Sequence, residues 1–382
     1  MIMSHIKFFK DITKNDVADA GGKGASLGEM TRAGIAVPPG FVVLSNAFDR
    51  FLEETDLNTE ISARLKEVNH DDTNSIERAS VVIRDAIHDH AMPDDLKKEV
   101  LTAFDELLRL TEPPIDSSSS RSARRTGLAR NDSDFLVAVR SSATAEDSSV
   151  ASWAGELETF LNTTRENVVE YVKKCWSSLF TPRAIFYRHD KKLLDAHVSV
   201  AVVIQKMVQS EISGITFTVH PVTEDPDQMI IEAGFGLGEA IVGGQITPDS
   251  YVVSKSEMKI LDCNVAAQTR KLVKRKQNAK PTPRPAQAGS KSASTRQESR
   301  HLAQAKSNGD DEVSWAGGAN EWVELSDANG SKQKLTEKQI IDCAKQFIRI
   351  ENHYGFPCDI EWAMEGGRLY ITQSRPITTL TH

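Results

Sequence analysis

Acidic, amide and basic side chains alternate along two segments near the end of the chain. Asp359 and Glu361 are separated by one residue, and so are Gln373 and Arg375. If both segments are β-strands, side chains two residues apart lie on one face of the sheet. Two carboxylates and an amide oxygen on one surface suit Mg²⁺, and a guanidinium beside them suits a phosphate. An ordinary exposed sheet face is the alternative.

A glycine-rich segment with one lysine, Lys23, lies near the start of the chain at residues 21–26 (GGKGAS). Glycines ahead of a helix let backbone amides approach a phosphate, and the lysine adds a positive charge. The segment is not a Walker A motif, because the G-x-x-x-x-G-K spacing is absent. A glycine-rich helix start with a surface lysine is the alternative.

Arg140 lies between apolar residues and a run of small ones, in the segment VRSSATAED at residues 139–147. The pattern predicts a strand that delivers the arginine into a small-residue turn. There the guanidinium could make a bidentate contact with phosphate oxygens. A salt bridge from Arg140 to Glu146 or Asp147 is the alternative.

Two further segments could enclose a nucleotide. Residues 152–160 include Gly155 and Thr159 and predict a flexible turn that could fold over a triphosphate and exclude water. By itself this pattern indicates only a hairpin. The other segment ends an apolar strand and could offer a backbone carbonyl and amide to adenine while its methionine packs on the ring, although an ordinary strand end is the alternative. It consists of Gln205, Lys206, Met207 and Val208.

Helical and strand patterns alternate along the rest of the chain. Apolar spacing predicts helices over residues 25–33, 166–179 and 335–353. It predicts strands over 41–44, 198–205, 215–219 and 229–232, and a hairpin of 358–363 with 369–373 that turns at 365–367. Mixed helices, strands and hairpins favour the α+β class over a doubly wound parallel sheet.

Two segments, about 111–134 and about 270–311, are rich in Ser, Pro, Lys and Arg and poor in apolar residues. Such segments cannot bury enough apolar surface to offset the entropy of ordering, so we expect long disordered insertions at the surface. The basic residues at 271–276 could dock an acidic partner, but a solvated loop is the simpler interpretation.

Bulk composition limits the class of protein. The chain has 382 residues, 39% hydrophobic and 26% charged, with a net charge of −8, so it is long enough for two domains and shows no sign of nucleic-acid binding. The four cysteines form no C-x-x-C pair and indicate reduced thiols in the cytoplasm rather than a zinc site. The charged N-terminus has no long apolar core, so we expect no signal peptide. No segment reaches the about 18 apolar residues of a membrane span, so we expect no membrane contact.

Taken in order, the motifs GGKGASLGEM, AVRSSATAED, QKMV, SGITFT, EAGFGLGEAIVGG, DIEW and ITQSRP resemble the N-terminal nucleotide-binding domain of phosphoenolpyruvate synthases and pyruvate phosphate dikinases. The resemblance extends from about residue 8 to about 379. It implies an ATP-grasp fold, with residues 1–197 and 198–382 as two lobes and ATP between them.

The resemblance also implies roles for individual residues. Lys23, Arg140 and Arg375 match phosphate-contacting groups, Glu361 and Gln373 match Mg²⁺ ligands, and Asp359 matches a neighbouring acid. Residues 205–208 match the adenine hinge. Residues 155–159 match a glycine loop, although Leu157 replaces a polar residue that is common in the family.

The family reaction converts ATP, pyruvate and water to AMP, phosphoenolpyruvate and phosphate through a phosphohistidine. None of the ten histidines lies in the Gly-rich, Thr-His context of that residue. We therefore expect a phosphohistidine domain and a pyruvate-binding barrel as partners, in trans or in a longer parent chain. The alternatives are the ATP domain of a rifampicin phosphotransferase and a non-catalytic, nucleotide-binding regulatory subunit.

Overall fold

The structure is a computed structural model that describes residues 4–111, 135–144, 147–148, 151–152, 158–193, 198–275, 320–378 and 380. Most of the two expected insertions lies outside these ranges, and so does Gly155 of the expected glycine loop.

Strands and helices alternate in the described ranges. The strands are β1 (Ile6–Phe8), β2 (Gly40–Val43), β3 (Val137–Ala143), β4 (Asp147–Ser148), β5 (Ala151–Ser152), β6 (Thr159–Thr163), β7 (Val200–Lys206), β8 (Ile212–Phe217), β9 (Gln228–Phe235), β10 (Asp249–Ser254), β11 (Lys259–Asn264), β12 (Arg270–Lys274), β13 (Asn320–Glu324), β14 (Cys358–Glu365) and β15 (Arg368–Pro376). The helices are α1 (Val17–Arg32), α2 (Ser45–Glu54), α3 (Leu57–Lys66), α4 (Thr73–Asp89), α5 (Asp94–Thr111), α6 (Val168–Ser177), α7 (Pro182–Asp190), α8 (Glu239–Val242), α9 (Asp327–Gly330) and α10 (Glu337–Tyr354).

The first sheet has five strands in the order β1-β2-β7-β3-β6, and every neighbouring pair is antiparallel. Helices α2 to α7 supply apolar side chains to the core on one of its faces. In α5, Leu96, Val100, Phe104 and Leu107 recur at helical spacing and are all buried, which fixes the helix against the sheet.

The second sheet has six strands in the order β11-β10-β9-β8-β14-β15. Helix α10 covers one face, where the rings of Phe347 and Trp362 lie 6.2 Å apart. A capping box formed by Thr336 and Gln339 begins this helix, and Gly355, at φ 76°, ends it. Because side chains alternate along a strand, Asp359 and Glu361 of β14 face away from α10.

A β-bulge interrupts the pairing of β14 with β15. Glu361 pairs with Gln373, but the next residue, Trp362, pairs with Ile371, so Thr372 is an extra residue in β15. Ile371 is buried in the core beside α10, whereas Gln373 lies on the opposite face of the sheet. The bulge therefore changes which face the side chains of β15 point to.

Helix α1 packs against both sheets. Its Leu27 and Met30 share a core with residues of both sheets and of α10, and Ser26 Oγ donates to the carbonyl of Ser374 in β15 at 2.7 Å. The expected lobe boundary falls between residues 197 and 198. Strand β7 follows that boundary but lies in the first sheet between β2 and β3, so the chain leaves the first sheet only after Lys206.

The α+β class is confirmed. The expected strands and the closing hairpin occur within a few residues of their predicted bounds, as do the helices at 166–179 and 335–353. In the described part of the chain, no helix combines the length and apolar character needed to cross a membrane.

Three local expectations were wrong. Helix α1 begins at Val17, not at residue 25, and consists of two helical parts joined at a kink, because Gly21 has a non-helical φ of 67° and ψ of 171°. Residues 141–143 continue strand β3 instead of forming a turn, because their small side chains are buried between the strand and its neighbours. Residues 270–274 form β12 and pair with β13 instead of belonging to a loop.

Candidate functional site

A cavity of about 500 Å³ lies between the two sheets. It brings together most of the site residues expected from the sequence: Lys23, Arg140, Thr159, Gln205, Lys206, Met207, Val208, Glu361, Gln373 and Arg375. Asp359 contacts the cavity indirectly through its ion pair with Arg375. These residues, up to 352 positions apart in the chain, thus line one concave site.

Lys23 is positioned by the kink in α1. Gly21 adopts φ 67° and ψ 171°, and a Cβ there would lie 2.2 Å from Ser142 Oγ. Ser142 Oγ donates to the Ala20 carbonyl at 3.0 Å and accepts from the Gly24 amide at 3.3 Å. Only glycine allows this close approach, which holds the first turn after the kink, with Lys23, against β3.

Arg140 links the two sheets across the cavity. From β3 its Nη1 donates to the Thr372 carbonyl at 2.8 Å, and its Nη2 donates to Gln373 Oε1 at 2.5 Å and to Glu361 Oε2 at 3.2 Å. The side chain is 11% exposed. The carbonyl at Nη1 belongs to Thr372, the extra residue of the bulge, so Arg140 contacts both strands of the β14–β15 hairpin.

Asp359 and Arg375 form a second ionic contact beside Arg140. Arg375 donates from Nε at 2.9 Å and from Nη2 at 2.8 Å to the same oxygen, Asp359 Oδ2. The other oxygen, Oδ1, is buried and accepts no hydrogen bond from the described residues. Burial raises the pKa of the Asp359 carboxyl, and the attraction of Arg375 opposes this without cancelling it.

Glu232 is an acidic residue of this face that the sequence analysis did not single out. It lies on β9 opposite Ile215, which in turn lies opposite Glu361. Burial raises the pKa of the Glu232 carboxyl, and repulsion from Asp359 raises it further. The sequence does mark Glu232, because this acidic residue interrupts an otherwise apolar run in β9.

The oxygens of Glu361 and Gln373 can share one cation. Both accept from the same nitrogen, Arg140 Nη2, so they are close enough to contact a single ion. Within the described ranges, no group of three or more His, Cys, Asp or Glu side chains could hold a metal. Mg²⁺, however, usually takes one or two protein oxygens and completes its shell with water and substrate phosphates. The unpaired Asp359 Oδ1 adds negative charge nearby. The donor set therefore fits Mg²⁺.

The segment expected to bind adenine is held firmly by its own backbone. The amides of Lys206 and Met207 donate to the carbonyls of Pro39 and Leu136, both at 2.9 Å, and Gln205 Nε2 donates to the Pro38 carbonyl at 3.2 Å. These donors are therefore engaged within the protein. Within the described ranges, the Val208 amide donates to no backbone carbonyl.

An apolar corner lies beside this segment. Leu237, Ala240 and Leu272 form a small buried cluster against which Met207 and Leu161 pack. The apolar corner lies beside Met207. The basic residues Lys23, Arg140 and Arg375 line the part of the cavity near the bulged β14–β15 hairpin. The cavity therefore has an apolar part and a charged part.

Glu239, the first residue of α8, lines the cavity and was not singled out by the sequence analysis. Burial raises the pKa of its carboxyl to about 7. Its Oε2 accepts from Asn320 Nδ2 at 3.4 Å. Glu239 belongs to the motif EAGFGLGEAIVGG, and only the fold shows that this glutamate lines the cavity.

Comparison with known proteins decides the family. The family model of the pyruvate phosphate dikinase AMP/ATP-binding domain matches residues 17–382. The chain belongs to this family. The geometry agrees, because an AMP/ATP-binding domain needs a cavity with a polar phosphate end and an apolar base end.

Curated relatives of this AMP/ATP-binding domain are named phosphoenolpyruvate synthases. The probable phosphoenolpyruvate synthase of Methanocaldococcus jannaschii is 38% identical over 379 residues, which are 99% of this chain and 27% of that protein. The phosphoenolpyruvate synthase of Pyrococcus furiosus is 36% identical over 415 aligned residues, covering 100% of this chain and 44% of that protein. The enzyme of Aeropyrum pernix is 36% identical, with coverages of 98% and 42%. The AMP/ATP-binding domain thus spans less than half the length of these relatives.

Proposed function

We propose that this chain binds Mg-ATP and donates the β-phosphoryl group in a phosphoenolpyruvate synthase-type reaction. The observation that carries the proposal is the division of one cavity into an apolar hinge corner and a cluster of three cations facing oxygen ligands. The names of the curated relatives favour this function over a rifampicin phosphotransferase or a non-catalytic regulatory subunit.

In this proposal the fold is of the ATP-grasp type, with two lobes that meet at the cavity and with the change of lobe after Lys206. The adenine lies against Met207 in the apolar corner and accepts from the Val208 amide. The triphosphate extends toward Lys23, Arg140 and Arg375. Thr159, which lines the cavity, contacts it.

Glu361 and Gln373 would hold Mg²⁺, which when bound supplies positive charge between the phosphate oxygens. Arg140 must release part of its contact with these two residues to reach a phosphate. Asp359 holds the guanidinium of Arg375 by two hydrogen bonds to one oxygen, which fixes its direction. Catalysis by such a set consists of positioning and charge neutralisation.

The acceptor in this reaction is a histidine on a partner domain. Its imidazole nitrogen attacks the β-phosphorus of ATP, the bond to the α-phosphate oxygen breaks, and AMP leaves. Hydrolysis of the resulting pyrophosphohistidine gives phosphate and a phosphohistidine, which then phosphorylates pyruvate bound in a barrel domain. We place both domains in trans or in a longer parent chain.

Calorimetric titration of the chain with ATP, with and without Mg²⁺, tests the proposal. We expect binding that Mg²⁺ strengthens and a matching rise in the melting temperature. A folded sample that shows neither heat nor thermal stabilisation would contradict ATP binding. Addition of a phosphohistidine domain should then yield AMP and acid-labile protein phosphate, and radiolabelled ATP that gives neither product would rule out the synthase-type reaction.

A further inference from the structure

A chain of side-chain amides crosses from the first sheet to Glu239. Gln209 Nε2 donates to Asn162 Oδ1 at 2.6 Å, and Asn162 Nδ2 donates to Asn320 Oδ1 at 2.6 Å. Asn320 Nδ2 then donates to Glu239 Oε2 at 3.4 Å. Asn162 and Asn320 each accept through the side-chain oxygen and donate through the side-chain nitrogen, and the series ends at the Glu239 carboxylate, which accepts.

Asn162 is unusual in its backbone conformation as well as in its burial. It has φ 52°, in the left-handed region, and is only 5% exposed. Asparagine tolerates this conformation better than most residues, and its amide needs partners when buried. Asn320 and Gln209 supply these partners, so the buried polar residue in β6 is satisfied by groups outside the first sheet.

The amide chain joins two walls of the cavity at its apolar corner. On one wall, β6 carries Thr159 and Leu161, which line the cavity, and Asn162 follows Leu161 directly. On the other wall, Glu239 follows Leu237 and Gly238, which also line it. Asn320, the first residue of β13, stands between the walls and contacts both.

The strand that carries Asn320 is itself fastened to the corner. β13 pairs with β12, and the Leu272 carbonyl of β12 accepts from the Leu237 amide at 2.9 Å. Gly236 makes this approach possible, because a Cβ there would lie 2.5 Å from the Leu272 carbonyl oxygen. The β12–β13 pair is thus a rigid support for Asn320.

We propose that Asn320 and Asn162 are positioning residues that hold the Glu239 carboxylate toward the nucleoside part of bound ATP and fasten β6 to β13. The inference rests on the proposed function, which places the nucleoside beside Met207 and Leu237. With Oε2 held by Asn320, the second oxygen of Glu239 is available to a hydrogen-bond donor of the nucleoside. The triphosphate, at the charged end, does not depend on this contact.

The test compares ATP with inorganic tripolyphosphate as ligands of the whole chain, by calorimetry. Asn320→Asp keeps the size of the side chain and the oxygen that accepts from Asn162, but replaces the donor to Glu239 by a negative oxygen. We expect ATP to bind at least about ten-fold more weakly, and tripolyphosphate to bind as it does to the unmodified chain. Asn329→Asp, on exposed α9, makes the same chemical change away from the cavity and should affect neither ligand.

Asn162→Gly is the second variant, because glycine accepts the left-handed backbone of this position. It should weaken ATP binding in the unmodified chain but not in an Asn320→Ala background, because both residues act on Glu239 through one contact. If the melting curve shows that Asn320→Asp does not fold, the comparison of Asn162→Gly in the unmodified chain and in the Asn320→Ala background tests the proposal instead.

Unchanged ATP binding by Asn320→Asp would overturn the proposal. Equal weakening of ATP and tripolyphosphate would also overturn it, because it would show a general structural role. An unmodified chain that binds tripolyphosphate but not ATP would instead contradict the placement of the nucleoside in the proposed function.

Discussion

Replacing Arg140 by methionine should increase the affinity of the nucleotide-free protein for divalent cations, although it removes a residue of the ATP site. Arg140 Nη2 contacts both Glu361 Oε2 and Gln373 Oε1, the two oxygens proposed to hold Mg²⁺. Without nucleotide, the guanidinium is the cation that these oxygens bind. Metal and guanidinium therefore compete for the same ligands.

The size of the effect follows from charge and distance. At an effective dielectric constant of 20, two unit charges 4 Å apart interact by about 4 kcal/mol, so a guanidinium and a divalent ion repel by ~8 kcal/mol. Arg140 can rotate away, but it then loses its hydrogen bonds to Glu361 and Gln373, worth about 1.5 kcal/mol or more each. Solvent screens little of this, because the side chain is 11% exposed. We expect Arg140→Met to bind a divalent cation at least about ten-fold more tightly.

Titration with Mn²⁺ in the absence of nucleotide, followed by electron paramagnetic resonance, measures this affinity. Arg140→Lys keeps the positive charge and is the matched control, with an expected affinity near that of the unmodified protein. The same Arg140→Met variant should bind ATP more weakly. The reasoning is refuted if Arg140→Met binds Mn²⁺ no more tightly than Arg140→Lys, since the guanidinium then does not occupy the metal position.

Three other changes test separate parts of the site. Glu361→Gln should remove most of the enhancement of ATP binding by Mg²⁺, and calorimetry that finds the full enhancement retained would exclude Glu361 as a ligand. Glu239→Gln should stabilise the nucleotide-free protein at pH 8 but not near pH 4.5. Burial raises the Glu239 pKa from 4.5 to about 7, so its contribution to the free energy of unfolding is complete below pH 4.5 and is lost as the pH rises through 7. The loss is about 3 kcal/mol at pH 8, and equal denaturation midpoints of variant and unmodified protein at that pH would contradict it. Gly21→Ala should lower the melting temperature and weaken ATP binding, because the added Cβ meets Ser142 Oγ at 2.2 Å. Gly366→Ala, also at positive φ but with no atom within 4 Å of the added Cβ, should show only the smaller cost of backbone strain, and similar losses in both variants would rule out the Ser142 contact as the cause.

Local sequence patterns predicted the strands that carry the candidate site residues where a single segment determines the structure. The alternation of Asp359 with Glu361 and the pairing of their strand with the one that carries Gln373 and Arg375 followed from period-two spacing and a glycine turn, and the fold confirms both. The kink at Gly21 was not predicted, because the glycine pair was expected to precede the helix and instead lies within α1.

Contacts between distant segments could not be predicted in the same way. Arg140 was expected to face a phosphate or a nearby acid, but it lies against Glu361 and Gln373, more than 200 positions later in the chain. Asn162 and Asn320 have no local signature, because only the packing of β6 against β13 brings their amides together. Nor does the sequence show that the Lys206 and Met207 amides are engaged by Pro39 and Leu136.

The extra residue in β15 separates a part of the strand that contributes to the hydrophobic core from a part that contributes to the cavity. Before Thr372, the alternate side chains Leu369 and Ile371 belong to the hydrophobic core, whereas after it Gln373 and Arg375 belong to the cavity. With Thr372 present and no bulge, Ile371 and Gln373 would share a face of the sheet. Deletion of Thr372 would make Ile371 and Gln373 successive residues on opposite faces, so the polar pair would keep its face, but Arg140 would lose the Thr372 carbonyl that accepts from its Nη1.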